Sequence, residues 1–198
     1  MAELAKRRGS KRFLTLTQNV DGLSQRADHP ADCLLHLHGD LFTVKCTEFM
    51  CSYKQENNYE VPLSQGLANI NETTELQRNI PLDELPICPR CRVGLLRPGV
   101  VWFGEALPLQ AMSKADEFIT SGEVDLILVI GTSGSVWPAA GYIEQVVMRG
   151  GKVAIFNIES MQDYEQVNGW IFNGDAADWL PKALEPLIGK LSNKASGG

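Results

Sequence analysis

The apolar and polar positions of this chain change period along its length, and these changes predict alternating strands and helices. Residues 13–17 alternate large apolar and β-branched side chains, which predicts a strand. Residues 109–120 carry apolar side chains at helical spacing. Residues 125–130 and 152–158 are mainly apolar, which is typical of parallel strands that are covered on both faces. The alternation predicts an α/β fold with a parallel sheet and crossover helices.

The carboxyl-terminal third carries the clearest pattern. Residues 125–130 predict a central strand, and residues 170–174 predict a last short one. A helix is predicted after each of them, and Asp178 is predicted to cap the second helix. The side chains expected to face inward from these two helices are Tyr142, Ile143, Val146, Val147, Leu180, Leu184, Leu187 and Leu191.

Composition narrows the classes of partner. The chain has 198 residues and a net charge of −6, which is unfavourable for a nucleic-acid surface, so no direct contact with nucleic acid is expected. Its apolar runs are too short to span a bilayer, so no membrane contact is expected either. We expect a monomer.

Four of the five cysteines form two close pairs, Cys46-x4-Cys51 and Cys88-x2-Cys91. Such pairs predict a structural zinc ion, since four thiolates complete a tetrahedron and leave no open position. Reduced cysteines in loops are the alternative interpretation. Cys33 is left over, and we expect it to be a small buried residue.

The cysteine pairs also suggest how the chain divides. A zinc-binding module is expected at residues 46–91, inserted in a Rossmann-like domain formed by residues 1–45 and 92–198. A strand at residues 41–44 would lead into the first pair. Residues 52–86 are polar and show no clean periodicity, which predicts a loose insertion with one helical turn near residues 73–77.

Polar side chains follow the first predicted strand directly. Gln18-Asn19-Val20-Asp21-Gly22 stands at its carboxyl end, where ligands bind in open α/β sheets. Taken alone, these residues favour an ordinary Asx turn. Together with His38-Gly39, however, they resemble the sirtuins.

The resemblance implies an NAD-dependent protein lysine deacylase that gives nicotinamide and O-acyl-ADP-ribose. His38 would be the catalytic base, and the acylated lysine side chains of proteins would be the substrates. His36 would share a strand face with His38, but only His38 matches the His-Gly of the family. The residues implied to bind NAD are Gln18, Asn19, Asp21, Gly131, Thr132, Ser133, Asn157 and Glu159.

Residues 97–105 resemble the sirtuin segment that pairs with the acyl-lysine peptide, in which the carbonyl of Val101 would accept the lysine amide. A plain buried strand is the alternative for the same residues. A tryptophan at position 102 resembles the class III and bacterial sirtuins, which include desuccinylases. The substrate-binding residues implied are Val101, Trp102, Phe103, Gly104 and Glu105.

The opening strand of the family and its Gly-Ala-Gly-Ile-Ser loop have no counterpart in this sequence. We therefore expect a fragment or a truncated product, with little NAD-dependent activity of its own. A catalytically inactive, zinc-stabilised sirtuin-like binding protein is the alternative function. An unrelated NAD-dependent oxidoreductase is a third, and it lacks its Gly-rich fingerprint here. The sequence does not indicate which acyl group is removed from lysine. The resemblance slightly favours a mitochondrial location over the cytoplasm or the nucleus.

Overall fold

The computed structural model describes residues 1–68, 79–159 and 168–190. The predicted helical turn at residues 73–77 and the side chain of Leu191 lie outside these residues. The described elements are, in chain order, α1 (Ala2–Arg8), β1 (Thr15–Thr17), α2 (Leu23–Arg26), β2 (Leu34–His36), β3 (Val44–Cys46), β4 (Lys54–Gln55), β5 (Leu96–Pro98), α3 (Leu109–Thr120), β6 (Leu126–Ile130), α4 (Gly141–Met148), β7 (Lys152–Asn157), β8 (Gly169–Asn173) and α5 (Ala176–Ile188). No helix in these described ranges is both long and apolar enough to cross a membrane.

The chain divides into two compact units. Unit 1 comprises the described residues of Met1–Gln18, Ser24–Leu37 and Leu109–Gly198, and unit 2 comprises those of Asn19–Leu23 and His38–Pro108. Each unit has its own sheet structure.

Unit 1 contains a parallel three-stranded sheet in the order β6-β7-β8, and a parallel pair β1-β2. These strands confirm the α/β class with parallel pairing. The middle strand of the three is β7, whose residues 153–156 are buried, because α4 and α5 both pack against it. The prediction that residues 125–130 form the central strand is wrong for this sheet. They form β6 at its edge, and Leu126 is 44% exposed.

The helices of unit 1 follow the predicted spacing with three corrections. Val147 and Leu187 were expected inside but are exposed, whereas Ile188 is buried beside Leu184. A helix turns 100° per residue, so Leu184 and Ile188, four positions apart, share the buried face of α5, and Leu187 lies to one side of it. The cap of α5 is Asp175, which accepts the N–H of Ala177 at 2.8 Å. Asp178 lies one turn inside, because β8 ends early enough for the helix to begin at residue 176.

Unit 2 is built on an antiparallel sheet in the order β4-β3-β5. The strand predicted at residues 41–44 is displaced to Val44–Cys46, since Asp40 accepts the N–H of Phe42 at 3.0 Å and forms a turn there. The long apolar segment after the second cysteine pair forms a strand only at Leu96–Pro98. The buried-strand alternative for residues 97–105 is therefore wrong, because Phe103 is fully exposed.

Candidate functional site

The four paired cysteines of unit 2 come together as one cluster. Their sulfur atoms all lie within 4.8 Å of one another. The Sγ atoms of Cys46 and Cys91 are 3.6 Å apart, and those of Cys51 and Cys88 are 3.7 Å apart. A tetrahedral zinc ion with Zn–S bonds of about 2.3 Å separates its sulfur ligands by about 3.8 Å. The cluster therefore has the dimensions and the donor set of a structural zinc site, as the spacing predicted.

The sheet of unit 2 brings the two pairs together. Cys46 ends β3 and pairs with Leu96 of β5, so the first pair is anchored next to the strand that follows the second. The backbone N–H of Cys88 donates to the carbonyl of Gly94 at 2.8 Å and closes the second loop. Gly94 leaves no room for a side chain, because a Cβ there would lie 2.6 Å from Cys46 Sγ. The close packing of these loops holds the sulfur atoms at ligand distance.

Backbone hydrogen bonds and burial act on the thiols in opposite directions. N–H groups of Gly94 and Val93 lower the pKa of Cys91 to about 6, which favours its thiolate at neutral pH. Burial raises the pKa of Cys46, although Glu48 donates its N–H to that sulfur at 3.4 Å. A cation among the four sulfurs would favour the thiolate form of all of them.

His38 lies directly against the predicted peptide-binding segment of unit 2. The N–H of Val101 donates to the carbonyl of His38 at 2.8 Å, and the N–H of Gly99 donates to the carbonyl of Thr43 at 2.5 Å. The candidate base and the candidate peptide-binding backbone are therefore neighbours.

The two histidines are separated by the end of a strand. β2 ends at His36, so His38 lies outside the strand and the expectation that both histidines share one strand face is wrong. His36 belongs to unit 1 and His38 to unit 2. His36 Nε2 lies 3.1 Å from the side-chain nitrogen of Gln25. His38 is half-buried, and its backbone carbonyl is the one that contacts the Val101 segment.

Gly39 explains how these segments approach so closely. Its φ of +78° lies in the left-handed region, and a Cβ built on it would collide with the carbonyl oxygen of Gly99. The close approach that Gly39 permits is thus to the backbone of the chain itself.

Replacing Gly39 with Ala is expected to destabilise unit 2 by about 1–3 kcal/mol or more, because it combines an unfavourable φ with a backbone collision. Urea unfolding of the variant measures the loss. Gly104→Ala is the matched control, since Gly104 has a φ of +87° in the same unit and open space around it. Equal losses in the two variants would show that contact with Gly99 is not the cause.

The Gln18–Gly22 segment forms the turn that its residues favoured. Asp21 Oδ1 accepts the N–H of Leu23 at 2.9 Å, which is an Asx turn with an exposed aspartate. Gly22 sits beneath the ring of Phe42, where a Cβ would come within 2.5 Å of a ring carbon. Gln18 belongs to unit 1, whereas Asn19 and Asp21 belong to unit 2.

The remaining candidates for cofactor binding lie at adjacent strand ends in unit 1. Gly131, Thr132 and Ser133 follow β6, and Asn157 ends β7. The side-chain amide of Asn157 donates to the carbonyl of Thr132 at 3.1 Å, so these two strand ends are joined. Polar groups at neighbouring carboxyl ends of parallel strands are well placed for a ligand. Glu159, two residues further on, is exposed.

The five predicted substrate-binding residues form a loop, and the side-chain carboxylate of Glu105 ties this loop to β5. The guanidinium of Arg97 pairs with this carboxylate, which also accepts the N–H of Trp102 at 3.2 Å. The hydrogen bond from Arg97 is the main cause that lowers the pKa of Glu105 to about 2, followed by that from Trp102. Sequence reasoning missed the role of Arg97, since nothing in its spacing shows which carboxylate it would meet.

Comparison with known proteins identifies the family. Residues 1–138, more than half of the chain, match the model of the Sir2 family. The chain belongs to the Sir2 family. Relatives of this Sir2 chain include an NAD-dependent protein deacylase of Candida albicans, 43% identical over 96% of the chain. A second is the NAD-dependent protein deacylase sirtuin-5, mitochondrial, of Canis lupus familiaris, 38% identical over 91% of it. The resemblance to sirtuins is thereby confirmed.

Solved structures agree with this assignment. A Sir2 homologue in complex with NAD is 31% identical, with a TM-score of 0.68 over 93% of the chain. A Sir2 structure with a p53 peptide and NAD+ is 26% identical, with a TM-score of 0.63 over 87% of the chain. The chain spans 72% of the Candida relative, 56% of the dog relative, and 63% and 62% of these two structures.

Proposed function

We propose that this Sir2-family chain carries the catalytic centre of an NAD-dependent protein lysine deacylase. The observation that carries the proposal is the hydrogen bond from the N–H of Val101 to the carbonyl of His38. It joins the candidate base to the backbone that would pair with an acyl-lysine peptide. The curated relatives named above are NAD-dependent protein deacylases, which supports the same activity.

His38 is the proposed general base. Histidine is the side chain that most often acts as a general base, and His38 is proposed to take a proton from a ribose hydroxyl of the cofactor. Bound NAD would supply the ribose carbon that is attacked and the nicotinamide that leaves. Asn19 would order a water molecule or the ribose, and Asp21 would hold the nicotinamide amide.

The residues that follow β6 and end β7 in unit 1 are proposed to bind the rest of the dinucleotide. Asn157 and Thr132 already meet through a hydrogen bond, which favours a shared role in holding the adenosine side. The strand-end residues proposed to contact the dinucleotide are Gly131, Thr132, Ser133, Asn157 and Glu159, whereas Gln18 would line the nicotinamide and ribose pocket with Asn19 and Asp21.

Acylated lysine side chains of proteins are the proposed substrates. Val101, Trp102, Phe103 and Gly104 would present backbone groups to the peptide, which allows recognition with little dependence on its sequence. One structural relative is a Sir2 protein bound to an acetylated peptide, and this supports the proposal.

Residues 46–91 are proposed to form a zinc-binding module whose single ion is structural. The geometry of the four sulfurs supports this, since it leaves no open coordination position for chemistry. A mitochondrial location is proposed from the name of the dog relative. No observation favours the inactive binding protein over the enzyme.

The test is an assay with NAD and acetyl-lysine or succinyl-lysine peptides, using the longest form of the protein that the gene encodes. We expect nicotinamide release only in the presence of an acyl peptide, with one deacylated peptide and one O-acyl-ADP-ribose formed for each nicotinamide. Mass spectrometry measures all three products. Peptide binding without nicotinamide release would instead establish the inactive alternative.

A further inference from the structure

Arg97 lies at the centre of a group of contacts that the proposed chemistry does not use. Its side chain on β5 is only 12% exposed. One guanidinium nitrogen, Nη1, donates to the carbonyl of Val100 at 2.9 Å, and the other, Nη2, pairs with Glu105. The guanidinium carbon also lies 4.1 Å from the centre of the Trp102 ring. One side chain thus contacts three points of the loop that follows it.

Glu105 completes this arrangement from the other end of the loop. Its carboxylate accepts the N–H of Trp102 at 3.2 Å and lies 3.6 Å from Lys45 Nζ. Lys45 and Arg97 stand opposite each other on β3 and β5, where two cations alone would repel. The Glu105 carboxylate lies within ion-pair distance of both cations and offsets their mutual repulsion. Its attraction to Lys45 and Arg97 ties the loop to β3 and β5.

The contacts converge on the two peptide bonds that flank Val101. Three of their four polar groups are held within unit 2. The Val100 carbonyl accepts from Arg97, the Val101 N–H donates to the carbonyl of His38, and the Trp102 N–H donates to Glu105. The fourth group is the Val101 carbonyl, which is the proposed acceptor of the lysine amide.

Hydrophobic packing does little to hold this loop. Phe103 is fully exposed and Trp102 is 56% exposed, so little apolar area is removed from water there. The polar contacts of Arg97 and Glu105, together with the hydrogen bond from the Val101 N–H to the carbonyl of His38, are therefore the main local constraint on the Val101 backbone.

We propose that Arg97 is a positioning residue for substrate recognition: through the Val100 carbonyl, the Trp102 ring and Glu105, it fixes the Val101 carbonyl in place for the acyl-lysine amide. The inference rests on the proposed deacylase function and deepens it. Glu105 contributes to the same positioning, because it holds the loop through Arg97 and the Trp102 N–H and does not itself contact the peptide. Only arginine suits this task, because its planar fork donates in several directions at once, whereas lysine presents a point charge.

Arg97→Lys tests the proposal, since it keeps the charge and removes the fork. We expect the dissociation constant and the KM for an acetyl-lysine peptide to rise about tenfold, with kcat and the KM for NAD within about twofold of wild type. Fluorescence polarisation of a labelled peptide gives the dissociation constant whether or not chemistry follows. Zinc content and the unfolding midpoint serve as controls for folding.

Two further variants sharpen the experiment. Arg149→Lys is the matched control, because Arg149 also donates to a backbone carbonyl, that of Thr120 at 3.4 Å, but in unit 1. It should leave peptide binding unchanged. Glu105→Gln should weaken peptide binding as Arg97→Lys does, and the double variant should be no weaker than either single one, as expected for residues that act together.

The outcomes separate the two proposals. Wild-type turnover with unchanged peptide binding in Arg97→Lys would overturn the positioning role and leave the deacylase function standing. A fall in kcat accompanied by a rise of similar size in the KM for peptide and in the KM for NAD would indicate a general structural role. That result would also overturn the positioning role. Peptide binding that falls in Arg97→Lys, in a protein that releases no nicotinamide, would support positioning and reject the enzyme. Wild-type protein that binds no acyl peptide would overturn both.

Discussion

Replacing Cys88 with Ser is expected to release the zinc ion and to unfold much of unit 2. Cys88 is fully buried, and its sulfur lies 3.7 Å from that of Cys51 within the four-sulfur cluster. Zinc binding contributes about 10–16 kcal/mol in small zinc-finger peptides. The strands of unit 2 are only two or three residues long, so loss of the ion is expected to remove a main source of its stability. Metal analysis of the purified protein, together with its thermal unfolding, measures the effect.

The fifth cysteine provides the matched control. Cys33 is also buried but lies in unit 1, outside the cluster. Cys33→Ala should therefore keep one zinc per chain and lose only the small packing contribution of its sulfur. Chelation of wild-type protein should reproduce the Cys88→Ser unfolding. A Cys88→Ser protein that retains zinc and its unfolding midpoint would contradict the assignment.

Replacing His38 with Ala is expected to lower the rate of deacylation about 100-fold or more, which is the usual scale for loss of a general base. The substitution removes the imidazole and keeps the backbone carbonyl that accepts the Val101 N–H. The peptide-binding segment should therefore stay in place, so the loss should appear in kcat more than in peptide binding. Single-turnover assays with a defined acyl peptide measure it.

His36→Ala is the comparison for that result. His36 ends β2 in unit 1 and contacts Gln25, so its loss should cost the reaction far less. Both variants should keep zinc and the wild-type unfolding midpoint. Equal losses of turnover from the two substitutions, or full activity in His38→Ala, would remove His38 from its proposed role.

The sequence was sufficient where the determining information was local. The spacing of apolar residues predicted α3 at Leu109–Thr120 with the bounds that the structure has. The pairing of the cysteines predicted a four-sulfur cluster, because close pairs at loop tips can meet without any further long-range specification. The choice of an Asx turn at Asp21 was also local, since an aspartate side chain reaches the N–H two residues on.

Helix capping and strand order needed more than local pattern. Two aspartates, Asp175 and Asp178, lie at the start of α5, and only the end of β8 decides that Asp175 and not Asp178 is the cap. The mainly apolar character of residues 125–130 fits a middle or an edge strand of a parallel sheet equally well. Which strand lies in the middle depends on how the strands pair and on the packing of both α4 and α5 against β7, and the pattern within one strand does not show either.

By itself, then, the sequence determined the α/β class, the cysteine cluster and the family resemblance, since each depends on residue types at short, fixed spacings. Tertiary structure alone decided that Gly39 meets Gly99, that the carbonyl of His38 holds Val101, and that Arg97 meets Glu105. Apart from the last pair, these partners lie some sixty positions apart along the chain. Their meeting depends on the antiparallel sheet that joins β3 to β5, because backbone pairing brings together residues whose own sequence carries no signal of a partner.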